Sequence, residues 1–155
     1  MIKKILINAI FILVVSCGFQ PMLKDFDVSN LIIKKISYDG KTNLSFLLQS
    51  YLNLIEKTSS IEGLIIQLSI SENLSSANKN TAGITTQEDL TILVSLDVTN
   101  QKSIYLLQDR FSESKRLDIT NNLGTDETIR NIEREKLIRN IAQKIKFKLM
   151  TLTKR

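Results

Sequence analysis

The sequence predicts an α+β domain, a mostly antiparallel four-stranded sheet with two helices packed on one face, in the order β-α-β-β-β-α. Apolar residues recur at every second position over 64–71 and 89–98, which is typical of strands with one buried face. Over 43–59 and 126–152 they recur every three or four positions, as in amphipathic helices. A sheet that carries both helices on one face buries both kinds of apolar surface, so residues 31–155 are expected to form one domain.

A turn separates the first predicted strand from the first predicted helix. Residues 31–38 are rich in β-branched side chains and stop at Asp39-Gly40, a strong turn signal. The helix is predicted over 43–59 with Asn43 as its N-cap. Its apolar stripe consists of Leu44, Leu47, Leu48, Tyr51, Leu52 and Ile55. Core packing is the favoured explanation of this stripe, and binding of a partner protein is the alternative.

Three strands are predicted to follow this helix. They are 64–71, 89–98 and 103–114. Their connections are a polar loop over 75–80 and a hairpin turn over 99–102. The third strand of the sheet has a candidate extension over 82–86, with a bend near Gln87-Glu88. Ile104 and Leu106 lie opposite the Tyr105 face of the last strand and are candidates for exposed apolar surface.

A long helix is predicted over 126–152, after a loop over 120–125. Its apolar stripe consists of Ile138, Ile141, Ile145, Leu149 and Leu152, with Ile129 and Ile132 as a weaker beginning. Residues 126–155 contain nine lysines and arginines against four acidic residues, within a chain of formal net charge +5. A basic helix can meet anionic lipid or sugar phosphate. A solvated surface is the plainer explanation.

The N-terminus has the pattern of a bacterial lipoprotein signal peptide over residues 1–16. Lys3 and Lys4 precede the apolar run 5–15, which makes roughly 16 Å of helix and is too short to cross a bilayer. The run ends in Val14-Val15-Ser16-Cys17-Gly18, which resembles a lipobox. Cleavage is therefore predicted between Ser16 and Cys17, with acylation of Cys17. An ordinary secretory signal that happens to contain a cysteine is the alternative.

Acylation of Cys17 would hold the mature chain at a membrane surface. Two or three acyl chains give nearly permanent anchoring, because each buried methylene contributes about 0.8 kcal/mol. Residues 17–30 are predicted to be a lipidated tether. Gly18 stands where lipoproteins kept at the inner membrane usually have Asp, so outer-membrane, periplasm-facing residence is predicted. Cys17 is the only cysteine in the sequence, so no internal disulfide can form.

The composition argues against catalysis. The sequence has no histidine, its single cysteine is assigned to the lipid, and its five glycines are far apart. General acid-base groups at neutral pH, transition-metal ligands and phosphate loops usually draw on those residues. The protein is therefore expected not to be an enzyme and to hold no metal and no cofactor besides the covalent lipid. Export and the scarcity of aromatic residues in the basic helix also argue against nucleic-acid binding.

The start of the mature chain, Cys17-Gly18-Phe19-Gln20-Pro21, resembles that of the lipopolysaccharide-assembly lipoprotein family, LptE. The resemblance extends to the element order, the long third strand with its hairpin, and the pattern of the last helix over 133–149. The sequence departs from the family at Gln20, where a basic residue is common. It departs again at Asn122-Leu123-Gly124-Thr125, where relatives often have a different turn.

The resemblance implies a plug inside the outer-membrane β-barrel LptD, where the pair inserts lipopolysaccharide into the outer leaflet. It implies assembly and ligand contact without turnover chemistry. Phosphorylated sugars need hydrogen-bond donors and positive charge. The candidate lipopolysaccharide contacts are Lys102, Arg110, Lys115 and Arg116. Scattered surface charge is the alternative explanation of each.

Two other kinds of envelope protein are alternatives. One is an auxiliary lipoprotein subunit of an ABC-type lipid-transport system, which would share the anchor and a small α+β domain. The other is a structural lipoprotein that spaces the envelope or binds peptidoglycan. Such structural proteins tend to be repetitive or coiled-coil, and this sequence is neither.

Overall fold

A four-stranded sheet in the spatial order β1-β2-β3-β4 organises the domain. The computed structural model describes residues 31–57 and 63–153. The strands are β1 (Ile33–Gly40), β2 (Leu64–Lys79), β3 (Thr85–Thr99) and β4 (Tyr105–Asp118), and the helices are α1 (Thr42–Leu52) and α2 (Leu123–Thr153). The predicted element order is confirmed.

The sheet is mixed, with one parallel pair. β1 runs parallel to β2, while β2 with β3 and β3 with β4 are antiparallel. A parallel pair needs a crossover connection, and α1 lies in the crossover between β1 and β2. Gly40 ends β1 at φ 129°, where a Cβ atom would collide with the Ile70 carbonyl oxygen. The predicted, mostly antiparallel sheet is confirmed.

Alternate residues of the two central strands form the floor of the core, and both helices cover it. On these two strands the fully or nearly fully buried residues are Ile66, Leu68, Ile70, Leu90, Ile92, Val94, Leu96 and Val98. The helices contribute Leu44, Leu48, Leu52, Leu137, Ile138, Ile141, Ala142, Ile145 and Leu149 to the same cluster. Strand alternation at period two and helix stripes at period 3.6 therefore meet in one core, as predicted.

Helix α1 is shorter than predicted. It ends at Leu52, because Asn53 takes the left-handed conformation at φ 45° and its N–H donates to the Gln49 carbonyl. The chain then runs beside β1, where the Lys57 N–H donates to the Ile33 carbonyl at 2.7 Å. Ile55, assigned to the helix stripe from the sequence, is 70% exposed. The predicted helix end at Ser59 was wrong, and Ser59 itself lies outside the described residues.

The predicted N-cap was also wrong. Lys41 holds the N-cap position without a capping side chain, and Asn43 lies inside the helix. The Asn43 Oδ1 atom accepts a hydrogen bond from the neighbouring Leu44 N–H at 2.9 Å. The N-cap is therefore Lys41, two residues before the predicted cap Asn43.

The segment predicted as a polar loop over 75–80 is largely strand. β2 continues to Lys79, which pairs with Thr85 across the hairpin. Polar side chains are tolerated here because this part of the hairpin has little core beneath it, so polarity did not signal a loop. The ladder is irregular near Asn78, opposite Gln87, which is where the bend was predicted.

The last strand and the last helix are both longer than predicted. β4 runs from Tyr105 to Asp118 instead of 103–114, and α2 begins at Leu123 instead of 126. The Asp126 carboxylate reaches back to accept hydrogen bonds from the N–H and hydroxyl of Thr120, at 2.9 and 2.8 Å. Those bonds hold the pKa of Asp126 below its ordinary value, with the Thr120 N–H as the largest cause. The loop over 120–125 is correspondingly shorter.

Two nearly buried ion pairs join α2 to the far part of the sheet. Arg134 binds both carboxylate oxygens of Glu72 on β2, one of them at 3.0 Å. Arg130 binds Glu88 on β3 at 2.8 and 2.9 Å. These four side chains are 11–16% exposed. The hydrogen bond to Glu72 is also the main reason that the pKa of Arg134 is raised.

Removing Glu72 is expected to destabilise the domain strongly. Glu72→Ala leaves Arg134 nearly buried without its main partner, so the free energy of unfolding should fall by about 3 kcal/mol. Urea unfolding followed by circular dichroism measures the change. Lys136→Ala is the control, since it breaks an exposed pair with Glu133 and should cost less than about 1 kcal/mol. Equal losses in the two variants would contradict the assigned role of the Glu72–Arg134 pair.

Tyr38 is expected to make the domain sensitive to alkaline pH. Burial, with the charge of Glu56 as a smaller cause, raises the pKa of Tyr38 from 10.0 to about 12. The folded state therefore holds this proton more tightly than the unfolded chain. Its contribution to stability is complete below about pH 10 and is lost as the pH rises towards about 12.

Tyr38→Phe tests this expectation. Within the described residues the Tyr38 hydroxyl is buried without a hydrogen-bond partner, so the variant should be at least as stable as the wild type near neutral pH. It should also lose less stability on alkaline titration. The difference between the two ultraviolet titration curves should centre near pH 12. A difference curve centred near pH 10 would show that Tyr38 is not held in its neutral form.

Candidate functional site

The sheet face opposite the helices is polar and is not covered by any part of residues 31–57 and 63–153, and we refer to it as the open face. It follows from the other half of the strand alternation, because residues between the buried positions point away from the core. Its central residues are Ser69, Ser71, Thr91, Leu93, Ser95, Arg110, Ser112 and Ser114. The sequence already shows serine or threonine at most of these alternate positions, whereas the four predicted ligand residues are all cations.

These side chains form rows across the strands. Ser69 lies opposite Ser95, which lies opposite Arg110. The next row contains Ser71, Leu93 and Ser112. Neighbouring strands are about 4.8 Å apart, so the Ser69-Ser95-Arg110 row presents closely spaced polar groups, whereas Leu93 separates the two serines of the next row. Hydroxyl groups can both donate and accept hydrogen bonds, and the rows can therefore bind water or the hydroxyls of a sugar.

Hydrogen bonds between strands order part of the open face. The Thr91 and Ser114 hydroxyls are 3.0 Å apart, and the Gln108 amide donates to Asp97 at 2.9 Å. Near the β1 edge, the Gln67 amide donates to Asp39 at 3.2 Å. The open face is therefore a structured polar surface, which can stay hydrated without unpaired buried groups.

Arg116 and Asp89 form a bidentate ion pair on this face. The Nε and Nη2 atoms of Arg116 donate to the two carboxylate oxygens at 2.8 and 2.9 Å. This hydrogen bonding holds the pKa of Asp89 below its ordinary value and raises that of Arg116. The pair is partly exposed, so it contributes little to the stability of the fold. Its main effect is that Asp89 occupies hydrogen-bond donors of Arg116 that a ligand would otherwise use.

Arg110 is placed differently from Arg116. Its side chain is exposed at the end of the Ser69-Ser95 row. Among residues 31–57 and 63–153, no carboxylate oxygen forms an ion pair with its guanidinium. A planar guanidinium can bind a phosphate or carboxylate through paired hydrogen bonds, and the hydroxyl of the cross-strand neighbour Ser95 is one strand away. Arg110 is accordingly the predicted ligand residue best placed to meet an anion on this face.

The four predicted ligand residues do not converge. Arg110 and Arg116 share the open face but are six residues apart along β4, roughly 20 Å. Lys115 lies beside the buried Leu90 in the register and therefore projects from the opposite face. Lys102 is exposed in the turn between β3 and β4. These placements separate the four cations into three different parts of the surface.

A groove lies between the edge strand β4 and helix α2 on the other side of the sheet. Its volume is about 680 Å³, and it is lined by Asp109, Phe111, Glu113, Asn140, Gln143, Lys144, Phe147 and Lys148. Lys144 pairs with Glu113, and Lys148 pairs with Asp109 at 2.9 Å. The bond from Lys148 is the main reason that the pKa of Asp109 is lowered. Sequence reasoning missed the groove because its two walls are about thirty positions apart in the chain.

The described residues contain no group of three or more histidine, cysteine or acidic side chains that could hold a metal ion. Within the same residues, no helix combines the length and the apolar character needed to span a bilayer. Ser16 and Cys17 lie outside the described residues, as do the predicted signal peptide 1–16 and tether 17–30. Cleavage and acylation therefore stay predictions from the sequence.

Several solved structures share the fold. The uncharacterised lipoprotein B of Nitrosomonas europaea superposes with a TM-score of 0.61 at 12% identity, covering 80% of this chain and 86% of that one. A minor lipoprotein of Acinetobacter baumannii gives 0.58 at 13% identity, over 79% and 95% of the two chains. The rare lipoprotein B of Shewanella oneidensis gives 0.53 at 14% identity, over 77% and 96%.

At these identities the likeness establishes the fold. The chain adopts an architecture found in solved bacterial lipoproteins, and its N-terminal sequence resembles a lipobox. No family model and no curated protein matches the chain. The superposition covers between 86% and 96% of these three lipoproteins, so the shared architecture includes most of each of them.

Proposed function

We propose that this protein is an outer-membrane lipoprotein that plugs an LptD-like β-barrel, assists its assembly and takes part in inserting lipopolysaccharide into the outer leaflet. In this proposal the signal peptide is cleaved before Cys17, and lipid on Cys17 holds the domain at the periplasmic side of the outer membrane. The protein acts by binding, without catalysis and without a cofactor other than that lipid.

The open face is the observation that carries this proposal. A small domain with one helix-covered sheet face and one uncovered polar face is suited to a wide, water-filled lumen. Its hydroxyl rows and engaged ion pairs need no apolar partner to cover them. The fold shared with solved lipoproteins and the LptE-like start Cys17-Gly18-Phe19 support the same assignment.

Binding of lipopolysaccharide is assigned to the part of the open face around Arg110. Its guanidinium supplies positive charge, and Ser69 and Ser95 of the same row supply hydroxyl donors. Phosphorylated sugars require both kinds of group. Arg116 is a weaker candidate because Asp89 already occupies its guanidinium.

Loss of the protein is expected to disturb surface lipopolysaccharide. Depletion should leave the barrel misassembled and lipopolysaccharide held in the periplasm. A detergent pull-down with a C-terminal tag, followed by mass spectrometry, should recover a large outer-membrane barrel. Recovery of an inner-membrane transporter would instead support the ABC-type auxiliary lipoprotein. Normal surface lipopolysaccharide after depletion would refute the proposal.

Arg110 and Lys115 provide a matched pair for testing ligand contact. Both are exposed cations of β4, but they project from opposite faces of the sheet. Arg110→Ala should weaken binding of purified lipopolysaccharide about tenfold, as expected for one lost charge-assisted hydrogen bond. Lys115→Ala should leave the affinity within about twofold. Unchanged binding after replacement of Lys102, Arg110, Lys115 and Arg116 together would exclude all four.

A further inference from the structure

The chain enters the described domain at the same end of the sheet at which the β3–β4 turn protrudes, and we refer to this as the Leu31 end. The Leu64 N–H donates to the Ile32 carbonyl at 2.9 Å, so β1 and β2 begin side by side. Ile65 pairs with Thr99 at the end of β3, and Thr99 pairs with Tyr105 at the start of β4. With strands about 4.8 Å apart, the start of β4 lies roughly 14 Å from the start of β1.

The β3–β4 turn presents adjacent large apolar side chains to solvent. Ile104 is 55% exposed, Tyr105 61% and Leu106 44%. Lys102 is exposed in the same turn. Three large apolar groups exposed at successive positions of one turn favour an interaction surface, whereas single scattered ones do not.

The turn is held in shape by its own hydrogen bonds. The Asn100 side-chain oxygen accepts from the N–H groups of Lys102 and Ile104, at 2.9 and 3.0 Å. The Ser103 N–H donates to the Asn100 carbonyl at 3.0 Å. The apolar side chains therefore project from a preformed turn, so little conformational freedom is lost when they meet a partner.

The hairpin at the other end of the sheet has the same construction without the apolar cluster. Asn80 accepts hydrogen bonds from the N–H groups of Ala82 and Ile84, both at 3.0 Å. Ile84, which is 49% exposed, is the large apolar residue of this turn. The two turns thus share the same pattern of backbone hydrogen bonds to an asparagine side chain, and only the turn at the Leu31 end carries three successive exposed apolar residues.

The residues before Leu31 indicate what this end faces. The predicted tether 17–30 contains 14 residues and reaches at most roughly 48 Å when fully extended. It joins the domain at Leu31, so attachment at its N-terminus draws the Leu31 end towards the membrane. The opposite turn lies a further 50 Å or so away along the 15 residues of β3.

The charges at the Leu31 end suit an anionic lipid surface. Lys34 and Lys35 on β1 are exposed there, in addition to Lys102. The Glu56 carboxylate at this end accepts a hydrogen bond from the Ile36 N–H at 2.6 Å. Lysines near a membrane gain electrostatic attraction to anionic headgroups. Tyrosine is favoured at the boundary between headgroups and acyl chains because its ring is apolar and its hydroxyl polar.

We infer that the segment Lys102–Leu106 is a membrane-contact turn, which inserts Ile104, Tyr105 and Leu106 at the interface of an anionic phospholipid bilayer. It gives the domain a second contact with lipid. It also orients β3 roughly perpendicular to the membrane surface instead of parallel to it. The inference rests on the proposed attachment of the N-terminus to a membrane, and it assigns the turn to lipid and not to a protein partner.

A single introduced tryptophan can report the position of each turn, since the sequence has neither tryptophan nor histidine. The mature chain 17–155 would carry a histidine tag in place of Cys17 and bind nickel-chelating lipids in vesicles of phosphatidylethanolamine and phosphatidylglycerol. Tyr105→Trp reports the membrane-contact turn, and Ile84→Trp reports the matched turn at the other end. Brominated phospholipids quench a tryptophan that reaches the acyl chains.

Emission of the Tyr105→Trp protein should shift to shorter wavelength and be quenched, while that of the Ile84→Trp protein should not change. Adding Lys102→Glu to Tyr105→Trp should lower the ratio of docked to undocked turns at least about fivefold. Absence of quenching at position 105 would overturn the inference and would point to a protein partner for the turn. Equal quenching at both positions would also overturn it, because the domain would then lie flat.

A negative result of this experiment can be distinguished from failure of the proposed function. The tag fixes the N-terminus to the vesicle whether or not Cys17 is acylated in the cell. A mass measurement on the native protein reports acylation, and the depletion experiment reports the role in lipopolysaccharide export. If the tryptophan at position 105 is not quenched but depletion disturbs lipopolysaccharide export, only the proposed membrane contact is refuted.

Discussion

The burial of the sheet on one face only is the constraint from which the other features follow. Five alternate side chains of β3 are completely buried beneath the helices, from Leu90 to Val98. Their neighbours in the sequence must then point to the uncovered side. A shift of the register by one residue would exchange the two sets, so the core alone determines which residues form the polar open face.

The same core explains where ion pairs replace apolar contact. The hairpin of β2 and β3 continues beyond the apolar cluster, and α2 follows it there with arginines instead of leucines. Arg134 meets Glu72 and Arg130 meets Glu88 in nearly buried positions, where an unpaired charge would be costly. These pairs keep a long helix aligned with a long hairpin that has little hydrophobic surface left to bury.

The two faces and two ends of the sheet suit different surroundings. The open face offers hydroxyls and the guanidinium of Arg110 to water or sugar phosphate, which fits the proposed place in a barrel lumen. The Leu31 end offers Ile104, Tyr105 and Leu106 beside lysine, which fits lipid. With the proposed lipid on Cys17, one small domain can lie end-on to the membrane and still present a hydrated sheet face.

Local patterns in the sequence determined the element order, the α+β class and the core, because period-two and period-3.6 apolar repeats report which side of each element is buried. They also placed Ile104 and Leu106 on the surface. Only tertiary structure decided the end of α1 at Leu52, the strand character of 75–79 and the separation of Lys115 from Arg110. These three features depend on contacts between segments that are far apart in the chain. One example is the hydrogen bond from the Lys57 N–H to the Ile33 carbonyl, and others are the strand pairings of the sheet.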